Sequence, residues 1–149
     1  MRNPESNEGD PGYERLHFGD PSAKGGRIVQ AWRQAQYTLI MSEPLLTEME
    51  RVLNYPKIER RLHWTPIQIM RYISLLRFYS EVVPIEQTLP IIPLNLLRDA
   101  KDIPIIATLI AGRAKWLVSL DDHLQAVRDQ YPVCTPGEFL SMLGPESNR

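Results

Sequence analysis

Residues 99–122, DAKDIPIIATLIAGRAKWLVSLDD, constrain the fold more than any other stretch of the chain. Asp102 stands as the cap of a helix, Ile103 to Ala111, that is apolar nearly all round and is therefore expected to be buried. Gly112 follows where a helix C-cap belongs. Lys115-Trp116-Leu117-Val118-Ser119 then reads as a short continuous apolar strand, of the kind covered on both faces in parallel sheets. Leu120-Asp121-Asp122 ends that strand and opens a helix to about Arg128. A buried helix feeding a buried strand implies an α/β domain with a parallel sheet.

The rest of the chain supplies matching pieces. Ile28, Ala31, Trp32 and Ala35 recur at helical spacing from Arg27 onward. Tyr37 to Met41 is a β-rich run, and Ser42 is a good N-cap for a helix with Glu43 and Pro44 in its first turn. That helix places Leu45, Leu46, Met49, Val52 and Leu53 on one face and ends near Asn54. Pro56 to Arg61 predicts a short basic helix. Thr65-Pro66 starts another, with Ile67, Met70, Ile73, Leu76 and Phe78 or Tyr79 expected inward. Glu81 to Pro84 reads as a brief strand, followed by a Pro-rich connection to Leu97. Val133-Cys134 gives a final small strand, and Thr135-Pro136 caps a helix through Leu143.

Residues 1–26 differ in kind. They hold five of the eight glycines and no apolar run, so they are expected to be disordered or aberrant, leaving 27–143 as the domain and 144–149 as a tail. No stretch approaches the roughly 18 apolar residues needed to span a bilayer, and the N-terminus has no hydrophobic signal core. The single cysteine, Cys134, excludes an internal disulfide framework and fits a reducing, cytoplasmic setting. A net charge of −1 argues against a general nucleic-acid coat protein. It leaves room for an enzyme whose acidic metal site cancels a basic rim.

In open α/β sheets, function gathers at the carboxyl ends of the strands. Asp121 lies directly after one strand, Glu48 on the helix after another, and Asp102 at the head of the helix feeding the Asp121 strand. Carboxylates converging there raise one another's pKa. A hard divalent cation such as Mg²⁺, which prefers oxygen ligands, resolves the conflict. The alternative is plain: Asp102 and Asp121 both sit at helix N-termini, where a carboxylate is favoured without any catalytic role. Spacing does not separate Glu48 from Glu50 either.

The ordered blocks resemble the PIN domain, in the branch of toxin components of toxin–antitoxin systems, from about Gly25 to Leu143. GGRIVQAWRQAQYTLIMSEPLLTEMERVLNYPKIERRL is similar to the family's helix–strand–helix block, in which a strand-ending serine (Ser42) precedes a glutamate by six residues (Glu48). RDAKDIPIIATLIAGRAKWLVSLDDHL is similar to its acidic pair (Asp99, Asp102), buried helix, strand and post-strand aspartate (Asp121). VCTPGEFLSML resembles its closing strand and helix. The resemblance implies a three-layer α/β/α fold with a parallel sheet and a Mg²⁺- or Mn²⁺-dependent endoribonuclease, with RNA as substrate, an antitoxin protein as partner and homodimers common. Glu48, Asp102 and Asp121 are then the metal-holding acids, with Asp99 and Ser119 behind them. Lys57, Arg60, Arg61 and Arg113 are candidate contacts to RNA phosphates. The family also opens with an apolar strand carrying an aspartate. Here that place reads PGYERLHFGDPSAKGG, so the first strand and its acid are expected to be missing, and a catalytically impaired remnant that binds without cleaving is the alternative.

Overall fold

The computed structural model describes residues 24–93, 95 and 99–144. The expectations for residues 1–23, for Leu97 and for the tail beyond 144 lie outside these. The chain divides into two compact units, one spanning residues 38–114 and the other residues 24–37 with 115–144.

In the first unit, β1 (Ile40–Met41) leads through Ser42 into α2 (Glu43–Leu53), then α3 (Pro56–Leu62), α4 (Pro66–Tyr79) and β2 (Glu81–Val82). Two single 3₁₀ turns (Leu89–Ile91 and Ala100–Asp102) precede α5 (Ile103–Ala111). β1 and β2 pair in parallel, Ile40 opposite Glu81 and Met41 opposite Val82. The core gathers Leu46 and Leu53 of α2, Ile58 of α3, Ile69, Ile73 and Leu76 of α4, and Ile106, Ala107 and Leu109 of α5. Local chemistry starts α4 where the sequence predicts, because Thr65 and Gln68 form a reciprocal capping box ahead of Pro66.

The buried face of α4 differs from the expected one. Ile73 and Leu76 are inward, but Ile67, Met70, Phe78 and Tyr79 are exposed, Phe78 by 78%. The sequence PIQIMRYISLLRFY is apolar on most of its circumference, so periodicity admits two faces. Packing against α2 selects Ile69-Ile73-Leu76. A bidentate pair from Arg77 to Glu43 (2.9 and 3.0 Å) ties the two helices and holds the Glu43 carboxyl below its usual range.

In the second unit, α1 (Lys24–Arg33) begins three residues before the expected Arg27. Gly25 and Gly26 are helical, Gly26 is buried as Ala31 is, and α1 packs on α7 (Pro136–Leu143). Helical spacing does not extend to Ala35, which adopts a left-handed φ of 58° after the helix has ended. Tyr37, expected in a strand, instead donates its hydroxyl to the Ile28 carbonyl (2.8 Å) and meets Phe139 edge to face at 5.0 Å. β3 (Leu117–Val118) pairs in parallel with β4 (Val133–Cys134). Between them α6 (Asp122–Gln125) is one turn, shorter than expected. Leu117 and Val118 are half-buried and Trp116 is exposed, so this strand is not sealed on both faces. Cys134 is buried, as a small hydrophobe would be, and burial pushes its thiol up to about 11. Thr135 and Glu138 make a second capping box at the start of α7.

Among the described residues helices dominate and both strand pairs are parallel, so the fold is α/β. No helix among the described residues is long and apolar enough to cross a membrane.

Candidate metal centre

The two aspartates that sequence alone reads as equivalent caps behave differently. Asp121 is a true cap: it precedes α6 and its Oδ1 accepts the backbone N–H of His123 at 2.8 Å. Asp102 occupies the corresponding position before α5, yet its side chain makes no capping hydrogen bond to that helix. It is only 6% exposed. A carboxylate is rarely buried to this degree for helix capping alone, since capping works at the surface with water sharing the charge.

Asp99 explains where the Asp102 carboxylate sits. Asp99 itself has an extended backbone and folds its own side chain back to accept the N–H of Lys101 at 2.9 Å, which closes the 3₁₀ turn 100–102. The Asp102 N–H in turn donates to the Asp99 carbonyl at 3.0 Å. This tight turn brings carboxylate oxygens of Asp99 and Asp102 within 4.8 Å of each other. Asp99 is half-buried. The Asp99 and Asp102 carboxylates thus sit close together at the head of α5. Their donor set, hard carboxylate oxygen on adjacent turns, fits a divalent cation of the Mg²⁺ type.

Glu48 lies on the exposed side of α2 and is held by Arg51 one turn on, with Arg51 Nε at 2.9 Å from Oε2 and a second contact from Nη2 to Oε1. The same arginine reaches the Tyr55 hydroxyl, and its guanidinium pKa is raised chiefly by the Glu48 bond. Glu50 is also exposed, and its carbonyl accepts the Asn54 side chain.

Two buried serines end strands. Ser119, after β3, accepts the Asp121 N–H on its Oγ at 3.0 Å, while its carbonyl accepts from Gln125 Nε2 at 2.7 Å. Its hydroxyl therefore shapes the turn that presents Asp121. Ser42, after β1, is fully buried, but its expected capping of α2 does not occur. Pro44 leaves the first turn with one amide fewer to cap. Instead the Ser42 hydroxyl pairs at 2.7 Å with that of Thr108 in the middle of α5. Thr108 is a residue that the sequence reading passed over; a single hydroxyl in an otherwise apolar helix was the available signal.

The basic candidates Lys57, Arg60 and Arg61 ride on α3, with Ile58 as its buried anchor. Arg113 is exposed and takes the left-handed conformation (φ 50°) just after α5. Gly112 is the C-cap of α5, as expected, in a right-handed conformation with φ −83°. Its lack of a side chain serves another purpose. A Cβ there would overlap Ile40 Cγ2 and press on the Thr108 carbonyl at 3.1 Å, so glycine is what lets α5 lie against β1.

Parallel strands running into helices, with the Asp99 and Asp102 carboxylates close together at the head of α5, define an α/β protein with a candidate metal site. The family profile of the PIN domain matches residues 14–123, well over half of the chain, and the protein belongs to the PIN domain family. PIN domains are nucleases as a class and typically use divalent metal ions, which agrees with the Asp99–Asp102 pair. No curated protein and no solved structure matches the chain.

Proposed function

We propose that this protein is a metal-dependent endoribonuclease of the toxin–antitoxin type, acting in the cytoplasm. The observation that carries the reading is Asp102, a buried carboxylate that forgoes capping its helix and approaches Asp99 within 4.8 Å. In this reading Glu48, Asp102 and Asp121 hold Mg²⁺ or Mn²⁺, directly or through water. Asp99 supports Asp102, and Ser119 fixes the turn carrying Asp121. The bound ion supplies neutralisation of charge developing on a phosphodiester and acidification of water. Lys57, Arg60, Arg61 and Arg113 contribute phosphate contacts that position the RNA without reading its sequence. An antitoxin protein covers the site in the resting state, and the protein pairs as a homodimer.

The carrying experiment is cleavage of single-stranded RNA by the purified protein with Mg²⁺, with EDTA, and in Asp121→Asn. Cleavage that requires the ion and disappears in the variant is the expected outcome. Cleavage that survives both changes would remove the metal reading.

A second reading rests on the N-terminal sequence, where PGYERLHFGDPSAKGG contains no apolar run bearing an aspartate. On that reading the first strand and its acid are missing, and the protein binds antitoxin or RNA without cleaving. RNA binding and antitoxin capture with no Mg²⁺-dependent cleavage is its signature.

The Glu48–Arg51 pair gives a separate expectation. If Glu48 belongs to the site, Arg51 competes with the cation for the same carboxylate. Arg51→Gln then tightens Mn²⁺ binding about two- to fivefold, the scale of an exposed ion pair. An unchanged Mn²⁺ isotherm in Arg51→Gln would place Glu48 outside the site.

A further inference from the structure

Thr108 sits on α5 with its hydroxyl 2.7 Å from the carbonyl of Pro104, one turn back. A carbonyl only accepts, so the Thr108 proton is committed to Pro104. The 2.7 Å contact between Ser42 Oγ and Thr108 Oγ1 must therefore run from Ser42 as donor. The result is a directed chain: Ser42 O–H to Thr108 O–H to the Pro104 carbonyl. Both hydroxyls are inside the protein, at 0% and 3% exposure.

The two ends of this chain are informative. Ser42 joins β1 to α2, the helix that carries Glu48. Pro104 lies in the first turn of α5, two residues beyond Asp102. Hydrogen-bonded hydroxyls in a low-dielectric interior polarise one another and hold a single arrangement. Ser42 gives up capping α2 for this link, although its position and type suit a cap. A core with only packing to satisfy would fill the same space with apolar groups at little cost.

We infer that Ser42 and Thr108 are positioning residues, whose hydroxyl chain sets the first turn of α5, and with it the Asp99–Asp102 carboxylate pair, against the strand end that leads to Glu48. This rests on the metal reading proposed above and concerns how that site is held. The expectation that the strand-ending serine acts as a helix cap is replaced by a link between two acid-bearing elements.

The test measures Mn²⁺ binding to folded protein by calorimetry, alongside the urea midpoint without metal. The variants are Ser42→Ala, Thr108→Val, their double, and Thr108→Ser, which keeps the hydroxyl. Groups that orient metal ligands typically change metal affinity by about 10–100-fold. Ser42→Ala and Thr108→Val are expected to weaken Mn²⁺ binding about tenfold or more. The double should be no worse than the weaker single, and Thr108→Ser should stay within about threefold of wild type. A lowered urea midpoint with Mn²⁺ affinity within twofold of wild type in Ser42→Ala would overturn the inference and leave a purely structural hydroxyl pair. Should Thr108→Val not fold, Ser42→Ala carries the test, since it removes one oxygen and adds no volume. Asp102→Asn separates the two levels. If it abolishes Mn²⁺ binding while the hydroxyl variants leave binding intact, only this inference falls. If Asp102→Asn binds Mn²⁺ like wild type, the metal reading falls and the inference with it.

Discussion

In Asp102→Asn, Mg²⁺ no longer stabilises the fold, and metal-dependent RNA cleavage drops by at least about 100-fold, beyond the effect of altering a supporting residue. An ion that binds only the native state stabilises it by mass action. At about 100 times Kd the gain is about 2.7 kcal/mol, which for a chain of this length raises Tm by roughly 5–10 °C. Wild-type protein should show that shift and the variant should not. The substitution keeps the side-chain shape and removes one charge at a site 6% exposed, so its effect reads the cation rather than the packing. Thermal unfolding with EDTA and then with a Mg²⁺ titration, on both proteins, is sufficient. An equal Mg²⁺-induced shift in Asp102→Asn would show that this carboxylate does not hold the ion.

Gly112→Ala is expected to destabilise the protein by about 1–3 kcal/mol, the usual range for overpacking. The sign is the informative part. At a right-handed position with φ −83°, alanine suffers no backbone strain, and helix propensity alone would favour it by up to about 1 kcal/mol. The opposing term is the overlap of the new methyl with Ile40 Cγ2, on a β-branched side chain with little rotamer freedom. Ile40→Ala in the same protein removes the opposing methyl. The double variant should therefore recover part of the loss, with a coupling of about 0.5–3 kcal/mol between the two sites. Urea midpoints of the four proteins measure it. A midpoint for Gly112→Ala at or above wild type would mean that α5 does not need this close approach.

The limits of α5, Ile103 to Ala111, can be read from the sequence because Asp102 and Gly112 bracket an uninterrupted apolar run. The starts of α4 and α7 are equally plain, since Thr65 with Gln68 and Thr135 with Glu138 cap their helices through local bonds. These are interactions among residues three apart, and a linear chain displays them directly. The strands are shorter than their β-rich runs suggest. Tyr37 leaves the first run to bury its ring against Phe139, and Trp116 stays exposed. Strand length depends on a pairing partner distant in sequence, so no local pattern sets it.

The acids show the same division. Sequence places Asp102 and Asp121 alike, each at the head of a helix, and family resemblance names them together. The tertiary structure separates them: Asp121 caps α6, whereas the turn at 100–102 buries Asp102 beside Asp99. By itself the sequence determined the α/β class, most helix boundaries and the acids with their order, because propensity, capping and apolar period act over a few residues. Only the tertiary structure decided which face of α4 is buried, that Ser42 links to Thr108 rather than capping, that Gly112 serves close approach, and which aspartate is a cap. Each of those outcomes depends on contacts across tens of residues, where free energy is set by packing and desolvation at a shared location.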